Sequence, residues 1–155
     1  MLETKEYRAV IDQKAAYLRT QVLTARPEQL TLMLLDGAIR FAERARKCLR
    51  ESDYEGSFNA LTRSEDIVLE LVNSMKPESA PEICKQQASL YMFVYSKLVE
   101  ANMGHEEAAV GDALRVLGLL RETWLMLMDQ LQDQAVPSRE PMALNSAGGR
   151  VSIQG

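Results

Sequence analysis

His105, Cys48 and Cys84 are the side chains in this 155-residue sequence best suited to nucleophilic, redox or metal chemistry, and their settings argue against all three. His105 is the single histidine; it follows Gly104 among polar neighbours and reads as a solvated turn residue. A Ser–His–Asp or Cys–His arrangement needs a histidine oriented by a third group, which one turn histidine and two core-like cysteines do not supply. Metal-carboxylate bundles use inward Glu-x-x-His pairs, whereas position 102, three residues before His105, is Asn. That excludes such a site. A phosphotransfer histidine would stand exposed in mid-helix, not in a turn. Cys48 and Cys84 fall on different predicted helices with no CxxC pair, and read as small buried hydrophobes kept reduced. There is no glycine-rich phosphate loop. The sequence therefore predicts a protein that is not an enzyme and uses no cofactor or metal.

The elements that carry these residues are helical. A hydrophobic content of 46% suits a packed core, and 155 residues suit one domain. Pro137, Pro141, Gly148, Gly149 and Gly155 fall in the last twenty residues, so the body is nearly free of breakers. The first helix is predicted over 6–23 and the second from Pro27 to about Arg50. Ser52 to Glu55 reads as a capping box opening a third helix that extends to about Met75. Ser79 to Glu82 repeats that pattern ahead of a fourth helix, which ends near Met103 with Gly104 as a left-handed cap. A fifth runs over 106–131. Short connections force antiparallel neighbours. The fold class predicted is all-α: an up-down four-helix bundle spanning 1–131, with the N-terminal segment 1–23 laid against it. Residues 132–155 have no aromatic residue and no period, and read as a disordered tail.

A net charge of −4 argues against nucleic acid as a partner. The run Arg40, Arg44, Arg46, Lys47 and Arg50 reads as favourable charge near a helix C-terminus on a solvated face. The N-terminus lacks the apolar core of a signal peptide. The densest apolar run, residues 124–128, is far short of the roughly 18 residues a membrane span needs. A cytoplasmic location without membrane insertion is the expectation.

The stretch 21–41, QVLTARPEQLTLMLLDGAIRF, is the most distinctive. Pro27 suits a first helical turn, where its missing N–H has no partner to lose, and Glu28 meets the positive end of the helix dipole. Leu30, Met33, Leu34, Gly37, Ala38, Phe41, Ala45, Cys48 and Leu49 then recur at spacings of three and four as one stripe. Gly37 disfavours a helix by about 1 kcal/mol relative to Ala, so its place on the stripe predicts a neighbour packed close. These residues resemble the FliS family of flagellar secretion chaperones, whose pattern is close to TASPxELTLMLYDGAIRF. The resemblance continues from about Tyr17 to Trp124. Residues 63–71 (RSEDIVLEL) are similar to the family's KAQDIIxEL, 74–78 (SMKPE) to its SLDxE, 90–93 (LYMF) to LYDY, 98–102 (LVEAN) to LxEAN, and 119–124 (LLRETW) to LLxxLRxTW. Leu35 stands where the family commonly has tyrosine, and Met92 where it has aspartate.

Apolar residues beyond one core stripe per helix mark a candidate binding surface. On the third helix Phe58, Leu61, Val68, Val72 and Met75 form the predicted core stripe, with Ala60, Ser64, Ile67 and Leu71 about 100° around from it. On the fourth, Ile83, Leu90, Val94, Leu98 and Ala101 form the core stripe and Ala88, Met92, Tyr95 and Val99 a second one. These eight flanking residues are the predicted groove, of the kind that accepts partner helices. The resemblance implies the occupant: the disordered C-terminal segment of flagellin, held from premature polymerisation and presented to the cytoplasmic domain of the flagellar export gate. It also implies that Tyr17, before QVLTARP, caps the groove when cargo is absent. A second reading keeps the bundle but gives it another flagellar or type III export client, or another flagellar regulator, as partner. Exposed apolar grooves leave self-association open.

Overall fold

The structure, a computed structural model, describes residues 2–76, 78 and 80–135. They form five helices: α1 (Leu2–Thr24), α2 (Pro27–Arg50), α3 (Tyr54–Asn73), α4 (Pro81–Gly104) and α5 (Glu107–Ala135). Helices α2 to α5 make a four-helix ring in which α2 packs on α3, α3 on α4, α4 on α5 and α5 back on α2. The all-α class and the bundle are as the sequence predicts. Helix α5 continues through residues 132–135, which the sequence assigned to the tail; the rest of that predicted disordered tail, 136–155, lies outside the described residues.

Local chemistry sets the helix ends. Pro27 opens α2, and the Arg26 N–H donates to Gln29 Oε1 at 3.1 Å. The cap of α3 is Asp53, not Ser52: Ser52 takes a left-handed φ of 58° to reverse the chain, and the Asp53 carboxylate accepts from the Gly56 N–H at 3.0 Å. A Cβ at Gly56 would collide with that carboxylate, so glycine is needed for the cap to close. At the end of α4 the left-handed residue is His105, φ 53°, while Gly104 stays helical. The His105 ring stacks on Tyr54 with centroids 4.1 Å apart, which fixes the turn. Ala80 precedes Pro81 as the cap of α4 and makes no side-chain capping bond. The capping role predicted for Ser79 lies outside the described residues.

Packing is tightest between α2 and α3. Ala38, Ala42 and Ala45 of α2 are fully buried, and Ser57, Ala60 and Ser64 of α3 are buried with them. Small residues allow close approach, and the Ser64 hydroxyl donates across the interface to the Ala38 carbonyl at 2.9 Å. A Cβ on Gly37 would lie 3.3 Å from Ile67 Cδ1, as a close neighbour at that glycine requires. This approach turns the buried face of α3 toward α2. Phe58, predicted to be core, is consequently 56% exposed, while Leu61, Ser64, Val68 and Leu71 are buried. On α4, Tyr91 takes the place predicted for Ile83 and Leu90, both of which are exposed. The core is completed by Leu35 of α2, Val94 and Leu98 of α4, and Val110, Ala113 and Leu117 of α5.

Helix α1 departs from expectation. Its described side chains from residue 4 to 24 are all exposed, so it is not laid against the bundle. Lys14 sits amid Tyr7, Val10, Ile11 and Leu18, and no dry face forms.

Two outcomes follow. Ser64→Ala, which loses the hydroxyl bond to Ala38, lowers stability by about 1 kcal/mol, whereas Ser64→Leu overpacks the interface and lowers it by about 1–3 kcal/mol or more in urea titrations. Removing residues 1–20 leaves the melting temperature within a few degrees of the full chain, since surface residues away from packed features contribute little, roughly 0.5 kcal/mol or less each.

Candidate binding groove

Helix α2 is held to α5 by three polar contacts spread along its length. The Trp124 indole N–H donates to the Glu28 carbonyl at 2.8 Å, Arg121 Nε meets Asp36 Oδ1 at 2.5 Å, and Arg50 Nε meets Glu107 Oε1 at 2.5 Å. With α3 packed on its other side, α2 is fixed on two flanks and presents a third outward.

That arrangement separates the eight predicted groove residues into two sets. Ala60, Ser64 and Leu71 are 3%, 0% and 1% exposed, so they are core residues, with Ala60 also bordering a groove beside Phe41 and Arg63 and Leu71 one beside Tyr91 and Trp124. Their burial departs from the free flank expected of them, and the cause is the rotation of α3 toward its small-residue contact. Ile67 is half-buried on the same side, over Gly37. Ala88, Tyr95 and Val99 are half-buried and Met92 is 46% exposed, on the flank of α4 that turns toward α3. There Asn102, three residues beyond Val99, donates to Glu65 Oε1 at 3.4 Å. Ser64 and Ile67 of the α3 set thus face α2, while Asn102 on the α4 flank faces α3.

An open seam runs instead along the outer side of α2 and α3. Toward the start of α2 it is a groove of about 520 Å³ lined by Pro27, Leu30, Met33 and Leu34, with Glu70 of α3 and its C-cap Ser74 opposite and Val22 of α1 at its edge. Beyond Gly37 and Ile67 it continues as a second groove of about 540 Å³, between Phe41, Arg44 and Cys48 of α2 and Asn59, Ala60 and Arg63 of α3. A further groove, about 290 Å³, lies between α4 and α5 and takes in Ile83, Leu90 and Leu119. The seam residues were legible but misplaced. Leu30, Met33 and Leu34 belong to the stripe read as the core of α2, yet they are half-buried, while Leu35 and Ala42, off that stripe, are fully buried.

Tyr17 does not cover the seam. It is 64% exposed, and its hydroxyl accepts from Gln21 Nε2 at 3.0 Å within α1. Only the end of α1, at Val22, reaches the groove edge.

Burial shifts two titratable groups near these surfaces, Glu65 and Cys48. Burial pushes the Glu65 carboxyl up, opposed by the Asn102 hydrogen bond and reinforced by Asp66. The Cys48 thiol is pushed up by burial and then by Asp53, the reverse of what a reactive thiolate needs. Among the described residues no group of three His, Cys, Asp or Glu could hold a metal ion, and no helix is long and apolar enough to cross a membrane.

Residues 10–131 match the family described as flagellar protein FliS. The chain is 29% identical over 109 residues to the flagellar secretion chaperone FliS of Campylobacter jejuni, covering 70% of this chain and 85% of that protein. It is 26% identical over 116 residues to the Bacillus subtilis flagellar secretion chaperone, covering 75% and 86%. For the Salmonella typhimurium chaperone the identity is 29% over 108 residues, covering 69% and 80%. A solved structure described as a flagellar chaperone from bacteria superposes with a TM-score of 0.64 at 16% identity, over 76% of this chain and 98% of that one, which shows a shared fold.

Glu65, on the α3–α4 flank, gives the stability of the bundle a pH signature. Its folded-state pKa lies above the unfolded value, so the folded form binds the proton more readily and its charged form disfavours folding at neutral pH. Glu65→Gln, which keeps an acceptor for Asn102, is expected to raise the melting temperature at pH 7. That gain shrinks as pH falls through the raised pKa and is gone below the ordinary glutamate range; melting curves from pH 4 to 8 check it.

Proposed function

The chain belongs to the FliS family, a family of flagellar secretion chaperones rather than enzymes, and from that premise we propose that it binds the C-terminal segment of flagellin along the α2–α3 seam. It holds that segment in the cytoplasm, prevents premature polymerisation and hands it to the cytoplasmic domain of the flagellar export gate. The observation that carries the reading is the run of half-buried apolar side chains along the outer face of α2 and α3, Leu30, Met33 and Leu34 lining the groove and Ile67 beside Gly37.

The energetics suit a chaperone that must release. Fully burying four such side chains contributes about 1.5–3 kcal/mol each, and these are already half-buried, so the gain is roughly half of that. Ordering a disordered partner costs on the order of 1–2 kcal/mol per residue fixed. One groove cannot order a long segment by itself. The occupant must also gain helical hydrogen bonds and continue onto further surface, for which the α4–α5 groove at Ile83, Leu90 and Leu119 is available. Low affinity per unit of area and ready release are characteristic of that mode.

Calorimetric titration of the full chain with a peptide covering about the last forty residues of its host's flagellin, long enough to include a disordered segment, tests this. Saturable binding with a negative heat-capacity change is expected. It should be lost in a folded Leu30→Asp plus Ile67→Asp variant and retained in Val99→Asp. The opposite pattern would move the site to the α3–α4 flank. An absence of binding, with residues 1–20 present or removed, would point to a different export client.

A further inference from the structure

The α2–α3 seam has two chemically different halves. Positions 30 to 48 of α2 span about 27 Å at 1.5 Å per residue, the length of a helix of roughly 18 residues. The half near the start of α2 is apolar, with Glu70 its acidic rim residue. The other half is cationic. Arg44 and Arg63 face each other across it, Arg44 close enough to act on the Cys48 thiol, and the Arg40 guanidinium lies over Gly37 where the halves meet.

Arg46, Arg50, Lys97, Arg115 and Arg121 each pair with a carboxylate. Arg40, Arg44 and Arg63 are exposed and make no ion pair among the described residues, in a chain whose net charge is −4. Lys47 and Lys85 share with these three arginines the lack of an ion pair among the described residues, but neither lines the seam. Asp53, the carboxylate within the cationic groove, is occupied as the cap of α3.

We propose that Arg40, Arg44 and Arg63 receive an acidic stretch of the flagellin segment, so that charge fixes the direction in which an amphipathic client helix lies in the seam. This rests on the chaperone reading above. Apolar side chains at helical spacing would fit the seam in either direction, because a hydrophobic contact is non-directional. A helix with carboxylates at one end and none at the other fits in one direction only: reversed, it would set its acidic end beside Glu70 and leave the arginines unmatched. Complementary charge of this kind selects register and speeds encounter more than it deepens affinity.

Association kinetics of the full chain with the same flagellin peptide, followed from about 50 mM to about 500 mM salt, test the assignment. Arg44→Gln plus Arg63→Gln is expected to bind roughly three- to tenfold more weakly at low salt, mostly through a slower association rate, with the difference closing at high salt. A peptide whose Asp and Glu are replaced by Asn and Gln should reproduce that loss on the unchanged chain. Leu30→Asp serves as the contrast, weakening binding at every salt concentration. Wild-type binding matched by the double arginine variant at all salt concentrations would overturn the assignment and leave the chaperone reading standing. Failure of the unchanged chain to bind the peptide would overturn both. Self-association of the chain that the double variant abolishes, with peptide binding unchanged, would assign the arginines to a second copy and overturn the proposal.

Discussion

Everything outward of the core follows from how closely α2 and α3 approach. That approach is set by what is missing from their facing surfaces: no side chain at Gly37, a methyl at Ala38, Ala42 and Ala45, and small groups at Ser57, Ala60 and Ser64. The Ser64 hydroxyl satisfies itself on the Ala38 carbonyl, so a buried polar group becomes a cross-helix fastener instead of an unpaired liability. With larger residues there, α3 would stand off and Ile67 would drop into the gap rather than rest over Gly37. The seam outside the contact stays shallow and open because the helices inside it are close.

The motifs that identify the family do their physical work mostly on the other flank of α2. Asp36, in the LDG stretch, meets Arg121, in the closing LLRETW stretch, and Trp124 of the same stretch donates to the first turn of α2. Two segments 85 residues apart are thereby joined across the α2–α5 contact. Family membership can thus be legible from residues that hold the bundle together. The surface that meets a partner is written less strictly, in apolar side chains that many sequences could supply.

Helix number, type and order were legible because breakers and periodicity agree: Pro27 and Pro81 open helices, and the apolar spacing between them is helical. Rotational setting was not. A helical wheel gives a stripe but not the neighbours on either side of it, and small residues carry little weight in that stripe although they decide where another helix can come close. Hence Leu30, Met33 and Leu34 read as core and lie at a rim, while Ala60, Ser64 and Leu71 read as a free flank and lie inside. The cap at Asp53 was missed by one residue, because the left-handed turn at Ser52 cannot be distinguished from a capping serine by residue type alone.

The small-residue contact also bears on the order in which the molecule assembles. Gly, Ala and Ser have little side-chain freedom to lose, so joining α2 to α3 costs less rotamer entropy than a leucine-rich interface of equal length would. The two helices are consecutive, and only Glu51 to Asp53 separate them, so the loop to be closed is short and the contacts are local in sequence. Both effects favour this hairpin as an early structure on the folding route. The walls of the seam would then stand before the α4–α5 half of the bundle closes behind them.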